Sequence, residues 1–284
     1  EVDPYKMAAS SINTAVKNLV VMGANLKKIA ILDNFCWCSS DDEGRLYELR
    51  KAAEACYDYA VTYKTPFISG KDSMYNDFKG FNQNNKPTKI SIPPTLLISS
   101  IGIVDNINHL TKITPEKDDV IYVLGETHNE LDKSQYENFF SVKKTNIPNV
   151  NATKSLDLYK RFEKANNKKL FTSALGVDLG GIGITLIKMS IGSNLGLNIN
   201  IPKNNNLDIK QFLFSESQSR IVVSIKKNKE NTFKKIFKNT SFTKIGTCLD
   251  NKKIVFNYSN KKYSDTIENF NKSYKSKIKG LWTY

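Results

Sequence analysis

A change of hydrophobic period, made twice before residue 70, constrains the fold of this chain more than any other feature. Between Met7 and Met22, Ile12, Ala15, Val16, Leu19 and Val20 recur at the spacing of one helix face. Gly23 then offers a left-handed residue at low cost, so the helix stops there. Lys28-Ile29-Ala30-Ile31-Leu32 reads as a short buried strand with Asp33 at its carboxyl end. Asp41 and Asp42 open a second helix, whose apolar stripe runs through Leu46, Leu49, Ala53, Cys56 and Ala60. Pro66-Phe67-Ile68-Ser69 is the next strand, and Gly70-Lys71-Asp72-Ser73 the loop beyond it. A polar surface loop over 79–89 and a strand from Thr95 to Val104 complete an α/β segment.

The second part mixes elements differently. Val120-Ile121-Tyr122-Val123-Leu124 is a strand, and Asn129 to Lys154 is polar and loop-rich. Helices are expected from Ser155 to Ala165, from Gly180 to Ile191 behind a glycine-rich turn, and from Lys229 to Phe237. Leu195–Ile201 and Arg220–Ile225 read as strands, and Lys244–Tyr258 as a hairpin across Asp250-Asn251. This is an α+β layer, so the chain divides into domains at 1–115 and 116–284, with no internal repeat.

Composition then removes function classes. The net charge of +14 invites a polyanion partner, but residues 1–115 hold 13 basic and 12 acidic side chains. The excess falls later, in short Lys pairs among the chain's 31 Asn, which reads as a solvated basic face and not a nucleic-acid site. Four scattered cysteines, Cys36, Cys38, Cys56 and Cys248, make no disulfide framework. With only His109 and His128 beside them, they make no zinc set. No apolar run is long enough for a membrane span, and Glu1-Val2-Asp3-Pro4 has no signal-peptide pattern, so a cytoplasmic location is expected. The missing initiator Met points to residues upstream.

Two strand ends carry polar groups, Asp33-Asn34 and Gly70-Lys71-Asp72-Ser73, and ligands of open α/β sheets sit outside such ends. Gly70 admits close backbone approach to an anion. Lys71 is a candidate point charge, Asp72 a metal carboxylate and Ser73 a hydroxyl donor. The same tetrapeptide also reads as a solvated turn.

Longer stretches are more specific. Asp3-Pro4-Tyr5, the run from Ala15 to Ala24, Leu32–Trp37, Pro66–Asp77 and Ile92–Ser99 resemble, in order and spacing, the second ATP-binding-type repeat of the phosphoribosylformylglycinamidine synthase family. Leu213–Val223 and Ile245-Gly246-Thr247 resemble the domain that follows it. The wider group includes aminoimidazole ribonucleotide synthetase. The resemblance implies an aminoimidazole ribonucleotide synthetase-like N-terminal α/β domain, its opening strands missing, followed by a C-terminal α+β domain. It implies an ATP-dependent carbon–nitrogen ligase that converts formylglycinamide ribonucleotide and ammonia to formylglycinamidine ribonucleotide in purine biosynthesis. ATP and Mg²⁺ are the implied cofactors. A first repeat or partner synthetase segment and a glutaminase unit supplying ammonia are the implied partners. A catalytically silent half, acting as scaffold or structural nucleotide-binding module, is the alternative.

Carried across by motif, the resemblance assigns Asp33 and Gly70 to ATP, Ser73 to the formamide substrate and Asn18 to metal. Lys71 stands where many members have a magnesium-ligating Asn; a protonated Lys cannot ligate a metal but can neutralise phosphate. No catalytic residue is assigned. Two further departures concern the nucleotide site: Thr14 replaces a metal-ligating Glu, and Leu175–Gly181 keeps the glycines of a His-Asp-x-Ser-x-Gly-Gly turn, with Asp178 in place of Ser. Glu216, Ser217 and Ser219 keep the pattern of a cleft-facing segment. Each residue also has a structural reading: Asp33 as turn former, Asn18 as helix-face polar group, Ser73 as loop cap, Glu216 as a packing group.

Overall fold

The computed structural model describes residues 3–141, 145–203 and 207–280. Helix α1 (Pro4–Met22) begins where the Asp3 side chain accepts the Lys6 N–H at 2.9 Å, with Pro4 in the first turn. It ends at Gly23, whose φ of +103° lets its N–H and that of Ala24 return to the last carbonyls. Strand β1 (Ile29–Cys36), helix α2 (Glu43–Tyr63) and strand β2 (Phe67–Ser73) follow. Helix α2 opens on Asp42 but is rotated from the expected face. It buries Ala52, Ala55, Cys56, Tyr59 and Tyr63 and leaves Leu46 about half exposed. Tyrosine rings, packed edge-on at 5.9 Å between Tyr59 and Tyr63, set that face in place of the aliphatic stripe.

The polar stretch expected as a loop is instead a hairpin of β3 (Asp77–Phe81) and β4 (Pro87–Ser91). Its turn is held by Asn82, whose side-chain oxygen accepts the N–H groups of Asn84 and Lys86. The hairpin's polarity reports exposure and not irregularity. Strand β5 (Thr95–Gly102) completes a three-stranded sheet of order β2-β1-β5, with β2 parallel and β5 antiparallel to β1.

A seven-stranded sheet forms the second part. In chain order its elements are β6 (Val120–Leu124), α3 (Ala152–Asn167), β7 (Phe171–Gly176), α4 (Gly181–Ser193), β8 (Gly196–Asn200) and α5 (Ile209–Phe214). Then come β9 (Ile221–Ile225), α6 (Glu230–Ile236), β10 (Phe242–Leu249), β11 (Lys253–Tyr258), β12 (Lys261–Thr266) and α7 (Ile267–Gly280). Residues 129–151 form no helix or strand, apart from 142–144, which lie outside the described residues. The expected β10–β11 hairpin is not paired: the sheet order is β12-β11-β8-β10-β6-β9-β7, so β8 lies between them. A side chain at position 196 would meet Asn251 Oδ1 at 2.0 Å, so Gly196 lets the β10–β11 connection cross the start of β8. The hairpin in this region is β11–β12.

Strand β6 is buried at all five positions, as a central strand covered on both faces must be. Ile121 and Val123 join a core with α4 and α5. Val120, Tyr122 and Leu124 join one that continues through α3 and α6 to α1, α2 and β1. The small sheet is thereby anchored to the large one through its helices. Its opposite face carries no helix and leaves Leu97 55% and Ile101 59% exposed. Among the described residues, no helix is long and apolar enough to cross a membrane.

Candidate functional site

The structure moves the two polar strand ends into the strands themselves. Asp33 lies within β1, and Gly70-Lys71-Asp72-Ser73 is the second half of β2 and not a loop. The parallel ladder pairs Asp33 with Gly70, Asn34 with Lys71, Phe35 with Asp72 and Cys36 with Ser73. Trp37 N–H closes it by donating to Ser73 O at 2.8 Å. An exposed edge strand of polar residues has no apolar period, so the sequence pattern ends before the strand does.

Alternation along the strands sorts these residues onto two faces. Asp33 and Gly70 share the face that carries Ile31 and Phe35 and packs beneath the helices. Asn34, Cys36, Lys71 and Ser73 share the helix-free face. Asp72 is exposed on the edge strand.

The Asp33 carboxylate is half-buried, and no hydrogen bond from the described residues reaches it. It lies near Cys56 of α2, whose thiol is pushed up to about 12 by burial, with Asp33 adding to the shift. A side chain at position 70 would meet Asp33 Oδ1 at 2.2 Å, so Gly70 is required for the carboxylate to occupy this position. On the other face Lys71 Nζ donates to Ser73 Oγ at 2.5 Å, and Cys36 Sγ donates to Asn34 Oδ1 at 3.6 Å. Asn34, named from the sequence only as part of a polar strand end, and Cys36, read there as an ordinary thiol, are placed beside Lys71 and Ser73 by the register of Asp33-Asn34-Phe35-Cys36 against Gly70–Ser73.

Asn18 belongs to a different place. It lines a cavity of about 910 Å³ with Thr14, Leu97, Leu179, Glu216 and Gln218, and none of Asp33, Gly70, Lys71, Asp72 or Ser73 takes part. Behind it the Lys17 ammonium is fully buried and donates to Val177 O at 2.6 Å and Asp178 Oδ1 at 2.5 Å. Burial lowers the Lys17 pKa, and Asp178 opposes that shift. A side chain at position 176 would meet Asn18 Oδ1 at 2.7 Å. The residues here do not fit magnesium, which prefers charged oxygen donors. Thr14 faces Gln218, Gly176 has no side chain, and Asp178 is held by an internal cation. Asp72 fares no better, because no group of three His, Cys, Asp or Glu that could hold a metal exists among the described residues.

The Leu213–Val223 segment is built into the framework. Glu216 Oε1 accepts the N–H groups of Gly180 and Gln135, both at 2.8 Å, and Ser217 Oγ accepts that of His128. The fully buried Arg220 holds the segment by donating to Ser215 O, Ser217 O and Thr127 Oγ1, and burial lowers its pKa to about 10. Asn13, unremarked in the sequence, ties this segment to the helices. Its Oδ1 accepts from Tyr63, Tyr159 and Ser219 hydroxyls at 2.7–3.0 Å.

The family model for the AIR synthase related protein, N-terminal domain, matches residues 1–104, and that for its C-terminal domain matches residues 163–259. The chain belongs to the AIR synthase related family. Its curated relatives include phosphoribosylformylglycinamidine synthase subunit PurL of Methanococcus aeolicus, 27% identical over 88% of this chain and 33% of the relative. The subunit PurL of Prochlorococcus marinus is 30% identical over 94% of this chain and 35% of the relative. The chain therefore spans about a third of the length of the curated relatives it matches. Among solved structures, T. maritima PurL complexed with FGAR aligns with a TM-score of 0.70 and 16% identity, over 95% of this chain and 43% of that one. The HypE–HypF complex aligns with a TM-score of 0.67 and 14% identity, over 91% of this chain and 83% of that one. These likenesses show the fold: a family N-terminal α/β part and a C-terminal α+β part, as the motifs implied.

Proposed function

We propose that this chain is the part of a phosphoribosylformylglycinamidine synthase that carries one wall of an ATP-dependent amidoligase site. The relatives' names and the motif order support the reaction. The observation that carries the reading is the Asp33 carboxylate held against Gly70; the Lys71–Ser73 pair lies on the other face of the same sheet. Domains of 1–115 and 116–284, and a cytoplasmic location, belong to the same reading.

In this reaction ATP phosphorylates the formamide oxygen of formylglycinamide ribonucleotide, and ammonia then displaces phosphate. Each group of the chain has a task its chemistry suits. Asp33 accepts hydrogen bonds from nucleoside donors such as ribose hydroxyls. Gly70 keeps that approach open, Lys71 neutralises phosphate, and Ser73 donates its hydroxyl to the ribonucleotide. Charge stabilisation at the transferring phosphoryl group, in a cleft closed to water, is the physical requirement of the step. The closing wall comes from a first repeat or another synthetase segment, and the ammonia from a glutaminase unit. Leu97 and Ile101 on the helix-free face, with β2 and β5 as open edges, are what a covering segment would bury.

The test is Asp33→Ala and Ser73→Ala in the complete synthetase, read as formamide-dependent ATP hydrolysis with ammonium chloride. Each substitution is expected to lower kcat/KM at least about tenfold, the cost of one lost hydrogen bond to a charged group. Wild-type rates in both variants would refute the reading.

A further inference from the structure

A second cavity, of about 850 Å³, lies where the loop after β6, the irregular segment 146–149, the first turn of α3 and the turn before β10 meet. None of Asp33, Gly70, Lys71 or Ser73 lines it. Its charged side chains are matched, with one exception. Lys154 and His128 lie 3.6 and 3.5 Å from Glu126 Oε2, Asp157 accepts from Arg161 at 2.8 Å, and Lys6 lies 3.9 Å from Asp3. Glu130 is the exception. It is 5% exposed, its Oε1 accepts the Asn149 N–H at 3.1 Å, and its Oε2 has no hydrogen-bond partner among the described residues. The neighbouring Arg220 does not supply one: it donates to Ser215 O, Ser217 O and Thr127 Oγ1, and it shares its charge between Glu130 and Glu216. A buried carboxylate oxygen without a donor is costly, and a ligand bringing a cationic N–H removes that cost.

The opposite polarity borders the same cavity. Helix α3, sixteen residues long, lines it with Thr153 and Lys154 of its first turn. The first N–H groups of a helix have no acceptor within it, and the Asn151 side chain caps that of Lys154, which leaves the Thr153 N–H for a ligand anion. Asn149, which is bonded to the Glu130 carboxylate, lies four residues before Thr153, a chain span of at most about 14 Å. Much of the remaining lining is neutral and hydrogen-bonding, with Asn146, Asn149, Asn239 and Ser241.

We infer that this cavity binds a free α-amino acid as its zwitterion, the ammonium on Glu130 and the carboxylate on the Thr153 N–H and Lys154. The amide and hydroxyl lining suits a polar side chain on that amino acid. The site is separate from the β1–β2 residues, so it stands or falls independently of the ligase reading.

The experiment is calorimetric titration of the full chain with L-glutamine, whose side-chain amide suits the lining. Two analogues are titrated alongside: glutaramate, which is glutamine without its amine, and γ-aminobutyramide, which is glutamine without its carboxylate. L-glutamine is expected to bind, and each analogue to bind at least about tenfold more weakly. Glu130→Gln keeps an acceptor for the Asn149 N–H and should weaken L-glutamine binding at least about tenfold, and Lys154→Met about threefold. Thermal unfolding checks the fold of each variant, and the two analogues carry the test if Glu130→Gln does not fold. No binding of L-glutamine, equal affinity for either analogue, or wild-type affinity in Glu130→Gln would each overturn the inference.

Discussion

Two regions of this molecule hold residues that the family resemblance points to, and they handle charge in opposite ways. Around α1 and the turn 175–181, every charge meets an internal partner: the buried Lys17 ammonium is held by Asp178 and a carbonyl, and Lys6 lies 3.9 Å from Asp3. Along β1 and β2, the Asp33 carboxylate has no hydrogen-bond partner and Lys71 no counter-ion among the described residues. A polar group satisfied within the fold contributes to the framework. One left unsatisfied at a sheet face is available to a ligand. The contrast separates framework from site more clearly than residue identity does.

The largest effect expected from breaking this contrast lies at the framework pair. Asp178→Ala strands a buried ammonium and should cost about 3 kcal/mol in urea unfolding, whereas Lys17→Met, which removes the charge itself, should cost far less. The sign of the pH effect follows. Burial lowers the Lys17 pKa in the fold, so the penalty in Asp178→Ala is full at low pH and shrinks as pH rises through the folded value toward the ordinary one. Equal losses in both variants at every pH would show that the pair is not what holds the turn.

Position 70 comes next. Gly70→Ala places a methyl group 2.2 Å from the Asp33 carboxylate oxygen, which must swing away. ADP affinity should fall at least about tenfold, measured by calorimetry, and Asp33→Ala in the same chain should make the glycine substitution nearly silent. Additive losses in the double variant would separate the two positions. A smaller effect concerns the buried thiols. Cys56 and Cys248 are both pushed up to about 12 by burial, from an ordinary 9.0. The unfolded chain loses these protons first, so stability should decline as pH rises above about 9. Thiol reagents should label the half-buried Cys36 well before either.

Much of the fold was legible because its elements obey simple periods. Strand β6 is an unbroken apolar run, and α1 has both caps written at its ends, Asp3 and Gly23. What escaped the sequence was decided between distant segments. The insertion of β8 between β10 and β11 depends on Gly196 admitting Asn251, a contact across more than fifty residues. The hairpin β3–β4 and the polar end of β2 are exposed, so no apolar alternation marked them as strands. The candidate residues Asp33 and Gly70–Ser73 could be named from the sequence. Their division between two faces could not, because it follows from a parallel register that local sequence does not encode.

Hydrogen–deuterium exchange with and without ADP measures most directly where the chain meets its ligand. The account predicts slowed exchange at residues 29–36 and 67–73, with 10–18 and 175–181 unchanged. Protection confined to α1 and the 175–181 turn, with the β1–β2 ladder unaffected, would place the site on the wrong side of the molecule and contradict it.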